Sequence, residues 1–193
     1  MNTQASFLTE IVCKYQHDPS TKTDYFWDDI CGTYSITNNA SRELNENIEN
    51  KRKIANVLAQ RKCRGFETPI KITLDRSGNE DDWVLETINN LVSQYPASPI
   101  EIFDEALVNL SYLIKHPSET ITIPRNEAWQ LYSYDFVSAS YILRQSEELQ
   151  YIKSFDTISS KDITIEAKGW EKLSELRRSL SKDKKTSFCS NVV

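Results

Sequence analysis

Residues 163 to 176 read ITIEAKGWEKLSEL, and this segment limits the fold of the chain more than any other. Isoleucines alternate in its first part as they do in a strand, and Trp170, Leu173 and Leu176 then recur at helical spacing. Gly169 at the junction indicates a close approach of the backbone to the sheet. We therefore expect a strand that runs directly into a helix, with Trp170 filling the space between them rather than contacting a ligand.

The elements before this corner have short and distinct patterns. Ser98-Pro99-Ile100-Glu101 combines an N-cap serine, a proline at the first helical position and a glutamate three residues after the cap, which predicts a helix that ends before Pro117. Further along, the patterns predict a strand at ETITIP, a short helix over 126–131, a longer helix over 135–149 and strands at YIKSFD and ITIE. This order of elements is typical of a winged-helix domain, which we predict over residues 98–181.

The patterns of residues 41–97 predict mostly helix. Apolar residues recur among charges from Ser41 to Cys63, which favours one long or broken helix that ends near Gly65. The segment PIKITL then alternates like a short strand. Asn79 is a suitable N-cap for a helix that contains Trp83, because three carboxylates follow it directly and favour the positive end of a helix dipole.

Together these patterns predict an α+β fold that is mainly helical. The expected parts are a degenerate zinc-ribbon-like element over residues 1–40, a helical region with a short strand over 41–97, the winged-helix domain over 98–181, and a linker with the start of a following domain over 182–193. No apolar run is long enough for a membrane span and the N-terminus has no secretion signal, so we expect a cytoplasmic chain without a membrane partner.

Charge is distributed unevenly along a chain whose formal net charge is −5. Residues 41–65 contain seven basic and three acidic side chains, whereas residues 75–119 contain two basic and nine acidic ones. Such segments are either solvated faces of one fold or, in the sharper interpretation, a basic helix that meets an anionic partner. The net negative charge argues against a general attraction to nucleic acid.

The sequence contains none of the motifs that would identify an enzyme. Its four glycines are isolated, so no glycine-rich loop can hold a phosphate or a dinucleotide. Neither GxSxG nor HExxH occurs, and the two histidines, His17 and His116, are too far apart in the chain for a histidine metal cluster. We therefore predict no catalytic residues in this chain and a function that is not enzymatic.

The N-terminal stretches CKYQH and DDICGTYSIT look like the two halves of a zinc ribbon in which each half keeps one cysteine. A ribbon contains CxxC twice, and here Gln16 and Asp28 replace the missing cysteines. We predict a ribbon without metal that is held together by its aromatic side chains, and hence no cofactor. The alternative is a zinc ion bound by Cys13, His17, Asp28 and Cys31.

The helix over residues 135–149 is the element of a winged helix that would enter DNA. Between residues 126 and 152 Arg144 is the only basic side chain, against four carboxylates, and such a surface repels phosphates. We therefore predict that its exposed face contacts protein, either a second copy or a downstream effector domain, through Tyr141, Arg144 and Glu148. In the alternative interpretation, a DNA-binding regulator, the contacts would come from Arg144, Lys153, Lys161 and Lys168.

Two motifs, CGTYSIT and ITIEAKGWEKLSELRR, resemble the N-terminal region of a group of bacterial proteins. Members of that group begin with a zinc-ribbon-like CxxCGxYxIT element, continue through helices and a winged helix that ends in Leu-Thr-Pro-Lys-Gly-Trp, and then join a TIR-like, nucleoside-deoxyribosyltransferase-like domain. This chain differs in having Asp28 for a ribbon cysteine and Glu166-Ala167 for the Thr-Pro. The resemblance implies a regulatory, sensing or oligomerisation module of an effector that acts on a nucleotide such as NAD, in defence against phage.

Overall fold

The computed structural model of the chain describes residues 2–75, 83–124, 127, 130–133, 136–157 and 159–189. The chain divides into two compact units. The N-terminal unit comprises Met1–Ala97 and Tyr132–Tyr134, and the C-terminal unit comprises Ser98–Leu131 and Asp135–Val193. In the described part of the chain, no helix is both long enough and apolar enough to cross a membrane.

Six strands and three helices form the N-terminal unit within the described residues. They are, in chain order, β1 (Asn2–Ala5), β2 (Val12–Asp18), β3 (Thr23–Asp28), β4 (Gly32–Thr37), α1 (Asn38–Glu46), α2 (Ile48–Cys63), β5 (Ile70–Thr73), β6 (Val84–Thr87) and α3 (Ile88–Ser93). The strands form one mixed sheet in the order β1-β2-β3-β4-β5-β6. Neighbours from β1 to β4 are antiparallel, whereas β5 runs parallel to β4 and β6 runs parallel to β5.

Alternating apolar residues place one face of this sheet against the helices. Phe26 on β3 stacks on Tyr34 of β4 with 5.1 Å between ring centroids, and the fully buried Ile36 and Ile72 lie on the same face. The helix α2 contacts β4, and its residues are buried without interruption from Ile54 to Gln60. The middle of α2 is therefore buried on all sides, as in a central helix, whereas its two ends reach the surface.

Polar side chains determine where the helices of this unit begin. Thr37 Oγ1 accepts the backbone N–H of Ala40 at 3.4 Å where α1 begins, and the side chain of Asn47 accepts the N–H of Asn50 at 3.1 Å where α2 begins. Asn47 is both the C-cap of α1 and the N-cap of α2. The long helix expected after Ser41 is therefore broken at Asn47.

The C-terminal unit contains three helices and three strands in its described residues. They are α4 (Pro99–Leu113), β7 (Ile121–Pro124), α5 (Phe136–Glu148), β8 (Ile152–Asp156), β9 (Ser160–Ile165) and α6 (Ala167–Cys189), with a short 3₁₀ turn that includes residues 130 and 131 between β7 and α5. The strands form an antiparallel sheet in the order β7-β9-β8. Ser98 Oγ accepts the N–H of Glu101 at 3.3 Å, so α4 begins at the predicted cap.

The Lys-Gly-Trp corner lies inside the first turn of α6, which begins at Ala167 rather than after the glycine. A Cβ atom on Gly169 would lie 2.2 Å from the carbonyl oxygen of Tyr151 and 2.8 Å from Cγ2 of Ile165. Trp170 packs against the aliphatic core of the unit, and its Nε1 atom is buried without a hydrogen-bond partner. Glycine is therefore required by the close approach of β8, β9 and α6, and not by an unusual backbone angle.

The predicted fold class, α+β and mainly helical with a ribbon-like N-terminus, a helical middle and a winged-helix C-terminal domain, is wrong. The structure is an α/β fold with a six-stranded mixed sheet, a three-stranded sheet and six helices in the described residues. The residues expected to form a small ribbon form β1 to β4 of the large sheet. That sheet extends beyond the ribbon because β5 pairs with β4, and the paired residues are 36 positions apart in the sequence, so no local pattern indicates the contact.

The helix expected around Trp83 is also wrong in part. Residues Val84–Thr87 form β6, and only Ile88–Ser93 are helical, with Thr87 Oγ1 accepting the N–H of Asn90 at 3.2 Å. The expected cap Asn79 lies outside the described residues. The first part of the expected helix is a strand instead, since pairing with β5 buries part of each residue of VLET.

Candidate functional site

A cleft of about 490 Å³ opens in the N-terminal unit where β3 ends and where β4 and β5 begin, beside the last turns of α2. We call it the α2 cleft. Its volume falls in the range of small-molecule sites in proteins, ~300–1,000 Å³. The side chains that give it chemical character are aromatic, basic or acidic: Trp27, Asp28, Asp29, Arg61, Lys62, Phe66 and Glu67.

Asp28 forms the floor of the α2 cleft and is only 3% exposed. Its Oδ1 accepts the backbone N–H groups of Ile30 at 2.7 Å and Cys31 at 2.9 Å, and its Oδ2 accepts the hydroxyl of Thr9 at 2.6 Å. Both carboxylate oxygens are therefore committed to closing the turn between β3 and β4. This side chain stabilises the fold of the cleft and is poorly placed to bind a ligand.

Two basic residues from the end of α2 line the cleft. The ammonium of Lys62 donates to the backbone carbonyl oxygens of Asp28, at 3.4 Å, and of Asp29. The guanidinium carbon of Arg61 lies 5.6 Å from the ring centroid of Phe66, over the ring. Within the described residues neither cation forms an ion pair with a carboxylate, so both charges remain available to an anionic ligand.

The cysteines expected to bind zinc are buried thiols. Burial raises the pKa of Cys31 well above its usual value, the nearby Asp28 raises it further, and the Cys31 thiol donates to the carbonyl of Ala55 at 3.3 Å. Burial also raises the pKa of Cys13, again with a contribution from Asp28. Since metal ligation requires the thiolate, both side chains favour the form that does not bind.

The structure does not bring the four expected zinc ligands together. His17 pairs with Asp24 at 2.8 Å, four residues along β2 from Cys13, while Asp28 and Cys31 lie at the opposite end of β3. Among the described residues, no three or more His, Cys, Asp or Glu side chains are grouped as a metal ion would need. Asp24 also accepts a hydrogen bond from the hydroxyl of Tyr15 at 2.8 Å. His17, Asp24 and Tyr15 therefore form a hydrogen-bond network on the sheet.

A second exposed region lies on α4 and α5 of the C-terminal unit. Val137 is 80% exposed and Tyr141 is 51% exposed on α5, and the ring of Tyr141 meets that of Phe103 on α4 at 6.5 Å. The guanidinium carbon of Arg144 lies 5.6 Å from the Tyr141 ring centroid. We call this region the α5 surface, and it consists of Ile100, Phe103, Val137, Tyr141, Arg144 and Glu148.

The basic residues of the DNA-binding interpretation do not form an open basic surface. Lys161 is 8% exposed and its ammonium pairs with Asp156 at 2.9 Å. Lys153 lies over the ring of Phe155 at 5.1 Å. Lys153 and Lys168 also border a depression of about 400 Å³ that contains two carboxylates, those of Glu147 and Glu166. Phosphate binding at this place would have to overcome those carboxylates.

The α2 cleft was missed by sequence reasoning. Arg61 and Lys62 belong to the basic segment of residues 41–65, and Phe66 follows just outside it. The sequence does contain one usable signal, namely two adjacent basic residues followed four positions later by an aromatic residue that comes directly after a glycine. Trp27 and Asp29 reach the same cleft because β3 pairs with β4 and β4 pairs with β5. The ribbon interpretation includes the first pairing but not the second.

No family model, curated protein or solved structure that was compared with this chain matches it. The function must therefore be inferred from the α2 cleft, the α5 surface and the sequence resemblance.

Proposed function

We propose that the chain is a regulatory module without catalytic activity that self-associates through the α5 surface. The observation that supports this most directly is the exposure of Val137 and Tyr141 on one helix face. Large apolar and aromatic side chains beside an arginine are the composition favoured at the centres of protein interfaces. Ile100, which is 69% exposed on α4, adds to the apolar area.

A second copy of the chain is the partner that the charges of this surface fit. Arg144 and Glu148 lie four residues apart on α5, and both are exposed. Glu148 accepts a hydrogen bond from Gln145 at 2.9 Å, but within the described residues Arg144 and Glu148 form no ion pair with each other. Around a twofold axis, Arg144 of each copy would meet Glu148 of the other copy while the Tyr141 rings pack between them.

We further propose that this module regulates an effector of the TIR-like, nucleotide-acting kind in anti-phage defence. This part of the proposal rests on the resemblance of CGTYSIT and ITIEAKGWEKLSELRR to the N-terminal regions of such proteins. Regulation through association is compatible with a chain in which no catalytic motif was found. In such a system, contact between copies would bring the attached or partner effector domains together.

Sedimentation equilibrium of charge-reversal variants tests self-association. Arg144→Glu and Glu148→Arg should each shift the chain toward monomer by at least about tenfold in the dissociation constant, because each variant sets like charges against each other. The double variant should restore association, since the pair is then reversed in both copies. Lys168→Glu, an exposed change on α6, is the control and should leave association unchanged.

Two results would contradict the proposal. If wild-type protein stays monomeric up to about 100 μM, the free energy of association through this surface is weaker than about 5 kcal/mol, and the surface is not a stable interface. Loss of a salt-sensitive affinity for duplex DNA in Arg144→Glu, with association unaltered, would identify the residue as a phosphate contact instead.

A further inference from the structure

We infer that the α2 cleft binds a small planar molecule that carries a negative charge, the chemical class that includes nucleoside monophosphates. The inference concerns the N-terminal unit and does not depend on self-association through the α5 surface. It would give the regulatory module a ligand to respond to.

The anionic part of the ligand is indicated by Arg61 and Lys62. Their cationic groups line the same cleft, and within the described residues neither is neutralised by a carboxylate. Lys62 uses its ammonium to hold the carbonyls of Asp28 and Asp29, which fixes the charge at the cleft instead of leaving it free in solvent. The guanidinium of Arg61 lies over the Phe66 ring, and such a group can make a bidentate contact with an oxyanion.

The planar part of the ligand is indicated by Trp27 and Phe66. Phe66 is 59% exposed although it belongs to a cleft wall, and Trp27 is half-buried on the end of β3. Aromatic side chains that remain open to solvent in a cleft offer stacking surfaces to a ring, and a stacked base contributes about 1–3 kcal/mol in other proteins. Neither side chain is needed to fill the apolar face beneath α2, which Phe26 and Tyr34 already occupy.

The acidic residues restrict which anion fits. Asp28 has little free capacity, because three donors already occupy both oxygens of its carboxylate. Asp29 and Glu67 are exposed at the cleft and would repel a polyanion. They favour a ligand with one anionic group and several hydroxyl donors, as in a nucleoside monophosphate, where the sugar hydroxyls can donate to carboxylates.

Calorimetric titration of the full chain with adenosine 5′-monophosphate, adenosine and inorganic phosphate tests the inference. The nucleotide should bind at least about tenfold more tightly than either fragment, since only it engages both the cations and the aromatic side chains. Arg61→Ala should weaken nucleotide binding by about tenfold, the effect of losing a charge-assisted contact. Arg42→Ala removes the same charge from an exposed position on α1 and should leave binding unchanged.

Phe66→Ser provides a second variant that cannot disturb the core, because the ring is largely exposed. It should weaken nucleotide binding several-fold and leave the affinity for phosphate nearly unaltered. Absence of saturable nucleotide binding overturns the inference, as does equal affinity in wild type, Arg61→Ala and Phe66→Ser. If phosphate binds as tightly as the nucleotide, the proposed stacking on Trp27 and Phe66 is refuted. In any of these cases, self-association of the wild-type chain would leave the proposed function intact.

Discussion

The two units build their interiors from different interactions. The core of the C-terminal unit is one cluster of aliphatic side chains that includes Leu110, Ile163 and Leu173, packed up to the glycine of the corner. The interior of the N-terminal unit also contains polar groups joined across the sequence: the Tyr34 hydroxyl bonds to Ser6 Oγ at 2.8 Å and accepts the N–H of Leu8 at 3.0 Å. Added volume should therefore harm the C-terminal unit most, and a removed polar partner should harm the N-terminal unit most.

The largest expected effect is that of Gly169→Ala. A single added carbon would lie 2.2 Å from a backbone carbonyl oxygen, which cannot move aside as a flexible side chain does. We expect a loss of about 3 kcal/mol in the free energy of unfolding, the upper end of what overpacking costs. Urea unfolding measures it, with Lys168→Ala, an exposed change in the same helical turn, as the control. A Gly169→Ala midpoint equal to that of Lys168→Ala would show that β8 and α6 do not approach so closely.

This same contrast explains what the sequence could predict. The elements of the C-terminal unit are each announced locally: Ser98 caps α4, the isoleucines of β9 alternate, and Trp170 and Leu173 recur at helical spacing in α6. Each of these patterns is contained within a few neighbouring residues. The packing role expected for the corner follows from the same short stretch, although the helix begins two residues earlier than the glycine suggested.

The N-terminal unit could not be predicted in this way because its decisive contacts are distant in sequence. The motif CGTYSIT is compatible with a small ribbon hairpin, and only the parallel pairing of Ile36 with Ile72 makes it the inner strand of a larger sheet. The position of Asp28 suggested a lost metal ligand, whereas Thr9 and two backbone N–H groups hold it in a turn. Neither arrangement has a periodic signature, so the α2 cleft that depends on both was not predicted.

Asp28→Ala tests whether polar contacts stabilise the interior of the N-terminal unit. The change leaves two backbone N–H groups and the hydroxyl of Thr9 without their acceptor, in a region where Asp28 itself is buried. We expect a loss of about 2 kcal/mol in the free energy of unfolding. Asp29→Ala is the matched control, since the adjacent carboxylate is exposed and its backbone carbonyl, which Lys62 contacts, is kept. Equal urea midpoints for the two variants would show that the hydrogen bonds of Asp28 do not stabilise the fold.

The smallest effect expected is one of pH, and it should arise in the N-terminal unit. Among the described residues, the groups whose pKa is raised all lie there: Cys13, Tyr15, Cys31, Tyr34, Cys63 and Tyr95. Burial is the main cause in each case, because it disfavours the charged thiolate or phenolate. For Tyr15 burial and the Asp24 carboxylate raise the pKa to about 12.

The sign of the pH effect follows from the direction of these shifts. For Cys31 the folded chain holds the proton more tightly than the unfolded chain, so above the usual thiol pKa of 9.0 the unfolded state loses its proton first. The stability contributed by the neutral thiol is fully present below that pH and is lost as the pH rises toward the folded-state value, by up to about 1.4 kcal/mol per pH unit for each such group. Urea midpoints at about pH 8 and about pH 10 should therefore differ more for wild type than for Cys31→Ala, although the variant is less stable at both. If the two proteins lose the same stability over this interval, Cys31 is not the buried thiol that the contact with Ala55 describes, and any alkaline sensitivity of the N-terminal unit must come from its other groups with a raised pKa.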